Sequence, residues 1–330
     1  MARTLEDLIY ERMTAWPELL NKLAKYKGKA AVFYQNAPAD TGGWKGAQQY
    51  PRIDYAVDMQ ANPERQTSGK VTINIWSIDS AVMPEEIEPE ARKALCGIFM
   101  TPEGEPPYCL AWHRTDNFSA DNEAERGEQI IGASMQFDVF AFPNQITSDP
   151  DPILAMNHFT KEWEPTATVI GHDRLDEYFE PQANEPVFYF RLVSLETSDE
   201  TNTVAWMNGV IAGHVFAPTA EERLRWIRYL TDTLATRGEV IMLDTSPMRI
   251  RRLSADTGLD QLSQGQIRIQ MRFGILRRAI ISPLIKVNIQ DQEADSTPKN
   301  LYVEADTTIE AEPLTQGYEM NSKLCGKEPL

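Results

Sequence analysis

Four histidines and three cysteines are the side chains of this 330-residue chain best suited to hold a metal or attack a substrate. His113, His158, His172 and His214 never stand at metal-ligand intervals, and no Cys-x-x-Cys or His-x-x-x-His pair occurs. Cys109 and His113 lie four apart on an expected strand and so share a face, which reads as a buried or edge pair without a chemical role. "GHDRLDEYFE" sets His172 beside Asp173 and Asp176; the trio has the right donors for a metal, but a solvated loop is the simpler account. No Gly-x-Ser-x-Gly elbow supplies a nucleophile, and neither Gly-x-Gly-x-x-Gly nor Gly-Lys-Ser/Thr supplies a phosphate cradle. With 49 acids, paired carboxylates can be drawn almost anywhere, so none is singled out. The expectation is a chain that is not an enzyme and takes no metal or cofactor.

What the sequence does carry is repetition. "FSADNEAERGEQIIGASMQF" from Phe118 and "LSADTGLDQLSQGQIRIQMRF" from Leu253 share an order: apolar-Ser-Ala-Asp, a polar stretch, Gln-Ile, then Met-x-Phe. Other landmarks recur at nearly the same distance. Asp121 and Asp256 lie 135 residues apart, as do Pro51 and Pro186; Met135 and Met271 lie 136 apart, and Val32 and Val169 lie 137 apart. Pro84 and Pro218, 134 apart, each open a charged amphipathic stretch. A period this long means two domains rather than a solenoid. The length of the chain lets each half bury a core of its own. The twice-written Ser-Ala-Asp reads as a turn in which Ser and Asp bond nearby amides.

The elements that would position any site follow from periodicity. Thr4–Lys27 reads as helix, divided near Pro17. Strands are expected at Ala30–Tyr34, Ile53–Met59, within "GKVTINIWS", and near Tyr108–His113. After that comes a long acidic loop and a closing strand in "QIIGASMQFDVFAF". A helix in "MPEEIEPEARKALCGIF" carries acids in its first turn, where the helix dipole favours them. The second half repeats the course: helix Ile153–Trp163, strands Thr168–Gly171, Val187–Leu195 and Val204–Phe216, then helix Thr219–Thr236. Thr219 is its expected N-cap, with Glu222 completing a capping box. Strands Val240–Asp244 and Ile267–Leu276 finish it. Each unit reads α-β-β-β-α-β-β, which predicts an α+β fold of small mixed or antiparallel sheets packed with helices. The expected domains are residues 1–147 and 148–280, with a β-rich extension at 281–330 that either pairs within the chain or adds a strand to a neighbour.

Composition bounds the class of partner. Hydrophobic residues make up 42% of the chain, as in an ordinary globular protein, and no apolar run is long enough to cross a bilayer. The charged start "MARTLEDLIYERM" lacks a signal-peptide core. Cys96, Cys109 and Cys325, odd in number and scattered, suggest a reducing compartment. A net charge of −17 argues against general nucleic-acid binding. Yet Arg249, Arg251, Arg252, Arg268, Arg272, Arg277, Arg278 and Lys286 cluster against only Asp256 and Asp260. The acidic stretch Asp116–Glu128, with Asp121, Glu123 and Glu125, and the acidic tail from Val287 contrast with it. Such asymmetry points to packing between like subunits, so these residues are the candidate interface, with a solvated face as the alternative.

The unit "YPRIDYAVD…SGKVTINIWS…PEEIEPEARKAL…GEQIIGASMQFDVF" resembles the tail-terminator, or tail-completion, proteins of long-tailed bacteriophages. The match consists of a proline entering an x-Ile-x-Tyr strand, an alternating strand ending Ile-Trp-Ser, a helix, and a closing hairpin with a long last strand. It covers Ala30–Phe142 and, more weakly, Thr166–Arg278. The resemblance implies a small α+β domain that forms a ring, a homohexamer in that family, at the head-proximal end of the tail tube. Such a ring ends tube growth and joins the tail to the neck or head–tail connector. It further implies a place in the virion tail, assembly in the host cytoplasm, and DNA passing through the lumen without specific binding. Two departures set this chain apart: the unit occurs twice, and an extension follows it. A trimer of doubled units therefore stands beside the hexamer. Another neck, tube or baseplate ring component, or an oligomeric adaptor of the same fold, and an enzyme with a site made of dispersed acids, are the alternative readings.

Overall fold

The computed structural model describes residues 3–60, 67–121, 129–145, 149–201 and 203–277. The expected extension at 281–330, with Arg278 and Lys286, lies outside the described residues, as do Glu123 and Glu125.

In the first half, α1 (Leu5–Ala15) and α2 (Pro17–Leu20) lead into short strands β1 (Lys25–Tyr26), β2 (Lys29–Ala30) and β3 (Val32–Tyr34). Next come β4 (Arg52–Met59), β5 (Gly69–Ile78), α3 (Pro84–Leu95), β6 (Phe99–Met100), β7 (Tyr108–Asp121) and β8 (Gln129–Ala141). The second half holds α4 (Pro152–Trp163), β9 (Thr168–Ile170), β10 (Tyr178–Phe179), β11 (Val187–Glu200) and β12 (Val204–Phe216). It ends with α5 (Ala220–Arg237), β13 (Glu239–Ile241), β14 (Pro247–Ala255) and β15 (Ile267–Leu276). The fold is α+β.

Local signals explain most boundaries. Thr4 caps α1 and Thr219 caps α5, each through a full capping box. Pro17 takes the first position of α2, where its missing N–H costs nothing, so the expected long helix becomes two short ones. Gly238, at φ +72, closes α5 in the left-handed conformation that only glycine adopts cheaply. In β5 and β15, buried and less buried residues alternate, as one-sided burial requires.

The strand order is β10-β6-β7-β8-β5-β4-β3 in the first sheet and β13-β14-β15-β12-β11-β9 in the second. Apart from β10, the two orders match element for element. The Val32/Val169 and Met135/Met271 landmarks fall in matching places. Val32 pairs in parallel with Ile53, and Val169 in parallel with Phe188; Met135 sits opposite Ile73, and Met271 opposite Gly209. One register differs. Arg52 pairs with Trp76, whereas Val187, at the matching sequence distance, pairs with Phe216 instead of Ala212. Strand β11 has slid four residues along β12 relative to β4 on β5.

Helices cover one face of each sheet. Leu8, Ile9, Met13, Ile87, Ala91 and Leu95 pack on Ile53, Val71, Ile73, Ile75, Met135 and Phe137. In the second half Ile153, Met156, Phe159, Ile227, Leu230 and Leu234 pack on Phe188, Phe190, Ile211, Ile269, Met271 and Phe273. A third core joins the opposite faces: Phe99, Cys109, Phe140 and Phe142 of the first half meet Ile170, Leu175, Val187, Tyr189 and Phe216 of the second. The halves also exchange a strand, since β10 pairs with β6. Residues 3–277 therefore form one unit with two sheets.

Three expectations are corrected. The strand expected near Tyr108–His113 runs on to Asp121, so the start of the acidic loop is sheet. Strand β14 was not expected; "PMRIRRLSA" lacks period-2 alternation, because Arg251 forms a bulge in its ladder. Its presence adds one strand to the expected unit. Finally, the two Ser-Ala-Asp segments differ. Ser119 and Ala120 lie inside the β7 ladder, while Asp256 makes the expected turn, accepting the Gly258 N–H at 2.9 Å.

Candidate assembly interface

The five arginines from Arg249 to Arg272 come together on the helix-free face of the second sheet. Strands β14 and β15 run antiparallel, and paired residues point the same way. Arg249 pairs with Arg272, Arg252 with Gln270, and Ser254 with Arg268. Arg251, at the bulge, joins them at a shallow groove of about 510 Å³ lined also by Glu196, Asn208, Gln270 and Arg272. Neither strand contains an acid. Among the described residues, no carboxylate lies within ion-pair distance of Arg249, Arg251, Arg252 or Arg268. Like charges directly opposite one another disfavour a ladder, so the Arg249–Arg272 pairing favours neighbours that carry the opposite charge. Arg272 is fixed by stacking over Trp206, 4.6 Å from its ring. Arg277 continues from β15, its N–H donating to the Thr203 carbonyl at 2.8 Å.

The acids expected to meet this face from a neighbouring copy belong to the first sheet and the segment after it. Asp121 ends β7 opposite Gln129. Asp116 lies on β7 and is already matched by Arg114 at 3.1 Å.

A second surface was not legible in the sequence. Between the halves lies a cleft of about 1170 Å³, walled by Thr101–Pro107 on one side and Ile170–Glu177 on the other. Its carboxylates are Glu103, Glu105, Asp173, Asp176 and Glu177, against one arginine, Arg174. The Thr101 N–H donates to the Glu177 carbonyl at 2.9 Å beside the β6–β10 pair, which brings the two walls together. Glu177 bonds Arg3, which also bonds Glu11. Asp173 is structural. Burial opposes its charge, but the Val169 N–H, His172 and Lys161 at 2.9–3.0 Å outweigh that and hold its carboxyl below the usual range. His172, Asp173 and Asp176 therefore do not converge on a common point; Asp173 is committed to Lys161.

The other chemistry candidates are also placed. Cys109 is buried in the core between the halves, where burial first and the nearby Cys96 second push its thiol up to about 12. His113, at a bulge in β7, reaches Asp138 at 3.2 Å instead. His214 is 1% exposed beside that core. Its Nδ1 lies 2.7 Å from the Gln261 carbonyl and its Nε2 accepts from Arg191 Nε at 3.1 Å, which fixes a neutral ring. Burial above all, with Arg191 adding to it, pushes its pKa down to about 4. Among the described residues no group of three or more His, Cys, Asp or Glu side chains is arranged to hold a metal. No described helix is long and apolar enough to cross a membrane.

No protein-family model matches the sequence, and no curated protein matches it. A solved structure without a functional description aligns with 43% of this chain and 99% of its own length, at 15% identity and a TM-score of 0.28. A likeness that weak carries no argument about this chain.

Proposed function

We propose that this chain is a structural component of a bacteriophage tail, forming a ring at the head-proximal end of the tail tube and doing no chemistry. The observation that carries the reading is the basic face of the second sheet: five arginines, two of them directly paired, in a chain of net charge −17. Arg249, Arg251, Arg252 and Arg268 have no ion-pair partner among the described residues, and acids of a neighbouring subunit would supply one. Closed rings need two different complementary surfaces per subunit, and the two halves differ in charge at matching register. The resemblance to tail-terminator proteins supplies the place of the ring, its tube and neck partners, and the six-fold symmetry. Six copies satisfy that symmetry, and three copies satisfy it with six similar domains.

Native mass spectrometry of the full chain, alone and mixed with tail tubes, tests the reading. The expected result is a discrete six- or three-copy species, with ring-shaped particles in negative stain. A monomer under both conditions overturns it.

A further inference from the structure

We infer that the acidic cleft between the halves is the socket for the basic face of a second copy, so that sheet two of one subunit docks head-to-tail into its neighbour. The inference rests on the ring reading above and names its contact. Strand β14 stands near one edge of the second sheet, and the loop after β9, which walls the cleft, stands at the other. Three strands separate them, a span of about 19 Å at the usual strand spacing. One copy therefore presents the two charges at opposite edges, which is the arrangement a head-to-tail contact needs.

The chemistry matches. The side chains of Glu103 and Asp176 line the cleft, are exposed, and form no hydrogen bond or ion pair with a described residue. The neighbouring Glu177 already takes a guanidinium, that of Arg3 in the same chain. Beneath Gly171 on the cleft wall, Asn157 is 1% exposed, and neither its amide oxygen nor its amide nitrogen has a partner. The Thr101 hydroxyl, on the opposite wall, is buried and unpartnered as well. Exposed carboxylates such as those of Glu103 and Asp176 suit arginine, which offers five donors in a planar fork and no acceptor. Arg251 and Arg252, exposed and without an ion-pair partner among the described residues, are the side chains best placed to enter.

The experiment uses two full-length double variants, Arg251→Glu with Arg252→Glu, and Glu103→Lys with Asp176→Lys. Each alone sets like charge against like, and its assembly should weaken roughly tenfold or more at about 0.05 M salt, less at about 0.5 M. Mixed one to one, every unlike contact is complementary again: a six-copy assembly should return as an alternating ring, and a three-copy assembly as mixed pairs and even-numbered species. That rescue also rules out misfolding, since a misfolded variant cannot be restored by its partner. If both variants assemble like the wild type, the cleft contact is wrong while the ring stands. If only the arginine variant fails, the basic face has another acidic partner and the socket assignment falls. A wild-type monomer, with and without tail tubes, sinks this contact together with the ring reading.

Discussion

The helix-free faces of the two sheets share a strand order but differ in what covers them. At one register the first sheet carries Phe118, Gly132 and Trp76 side by side, and the second carries Ser254, Arg268 and Ala212. In the first, the Phe118 ring lies across Gly132 and meets Trp76 edge-on at 4.8 Å, with Arg52 stacked on the indole. That sheet closes its outer face with its own side chains. The second also stacks one arginine, Arg272 on Trp206, but leaves Arg249, Arg251, Arg252 and Arg268 without an ion-pair partner among the described residues. The backbone decides which way a side chain points, and the residue type decides whether it finds a partner within the chain. A repeated fold can thus turn one copy inward and leave the other for a neighbour.

The largest effect should come where the faces meet. Phe142, 1% exposed, packs edge-on against Phe99, Tyr189 and Phe216 from both halves. Phe142→Ala should cost about 3–5 kcal/mol in urea unfolding. Both halves should unfold in one transition; two separated transitions would mean that the shared core does not couple them.

His214 sharpens the contrast next, because Ile78 stands at the matching place in the first sheet and cannot titrate. With its folded pKa near 4 and an unfolded value near 6.5, His214 takes up a proton in the unfolded chain before the folded one. Stability should fall as pH drops from about 6.5 to about 4, by about 3 kcal/mol from this group. His214→Gln should flatten that part of the profile, measured as the difference from wild type; an unchanged slope would show that the ring is not held neutral.

Gly132 and Arg268 give a paired test at one register. A methyl group at Gly132 would lie 2.2 Å from the Phe118 ring and 2.6 Å from the Ile75 carbonyl oxygen. Gly132→Ala should cost about 1–3 kcal/mol by overpacking. Arg268→Ala, on the open face, should change stability of the isolated chain by less than about 0.5 kcal/mol. Equal effects would erase the difference between the faces.

The smallest effect concerns the helix caps. Thr219 and Glu222 box the start of α5, whereas α3 begins at Met83 with no side-chain cap, although Glu86 stands where a box partner would. Thr219→Ala should lower stability by about 1 kcal/mol and Met83→Thr should raise it by about 0.5–1 kcal/mol. Thermal melts would show opposite shifts in Tm.

Much of this was legible because it is local. Apolar period, prolines at first turns and the Thr219–Glu222 box act within a few residues of one another, so the helices and the clean strands could be read directly. The arginine cluster was legible for the same reason, since charge density needs no fold to be counted. Strand β14 escaped because the bulge at Arg251 breaks its period and its outer face is polar. The acidic cleft escaped because its walls lie some seventy residues apart in sequence and are brought together by the β6–β10 pair.

By itself, then, the sequence determined which segments are helix or strand, where the pattern recurs, and that positive charge gathers near Arg249–Arg272. Only the tertiary structure decided that the halves share a core, that β11 slides by four residues relative to β4, and that the basic strip and the acidic cleft sit at opposite edges. The physical reason is range. Periodicity and capping depend on neighbours along the chain, whereas register, shared cores and clefts depend on contacts between residues that only folding brings together.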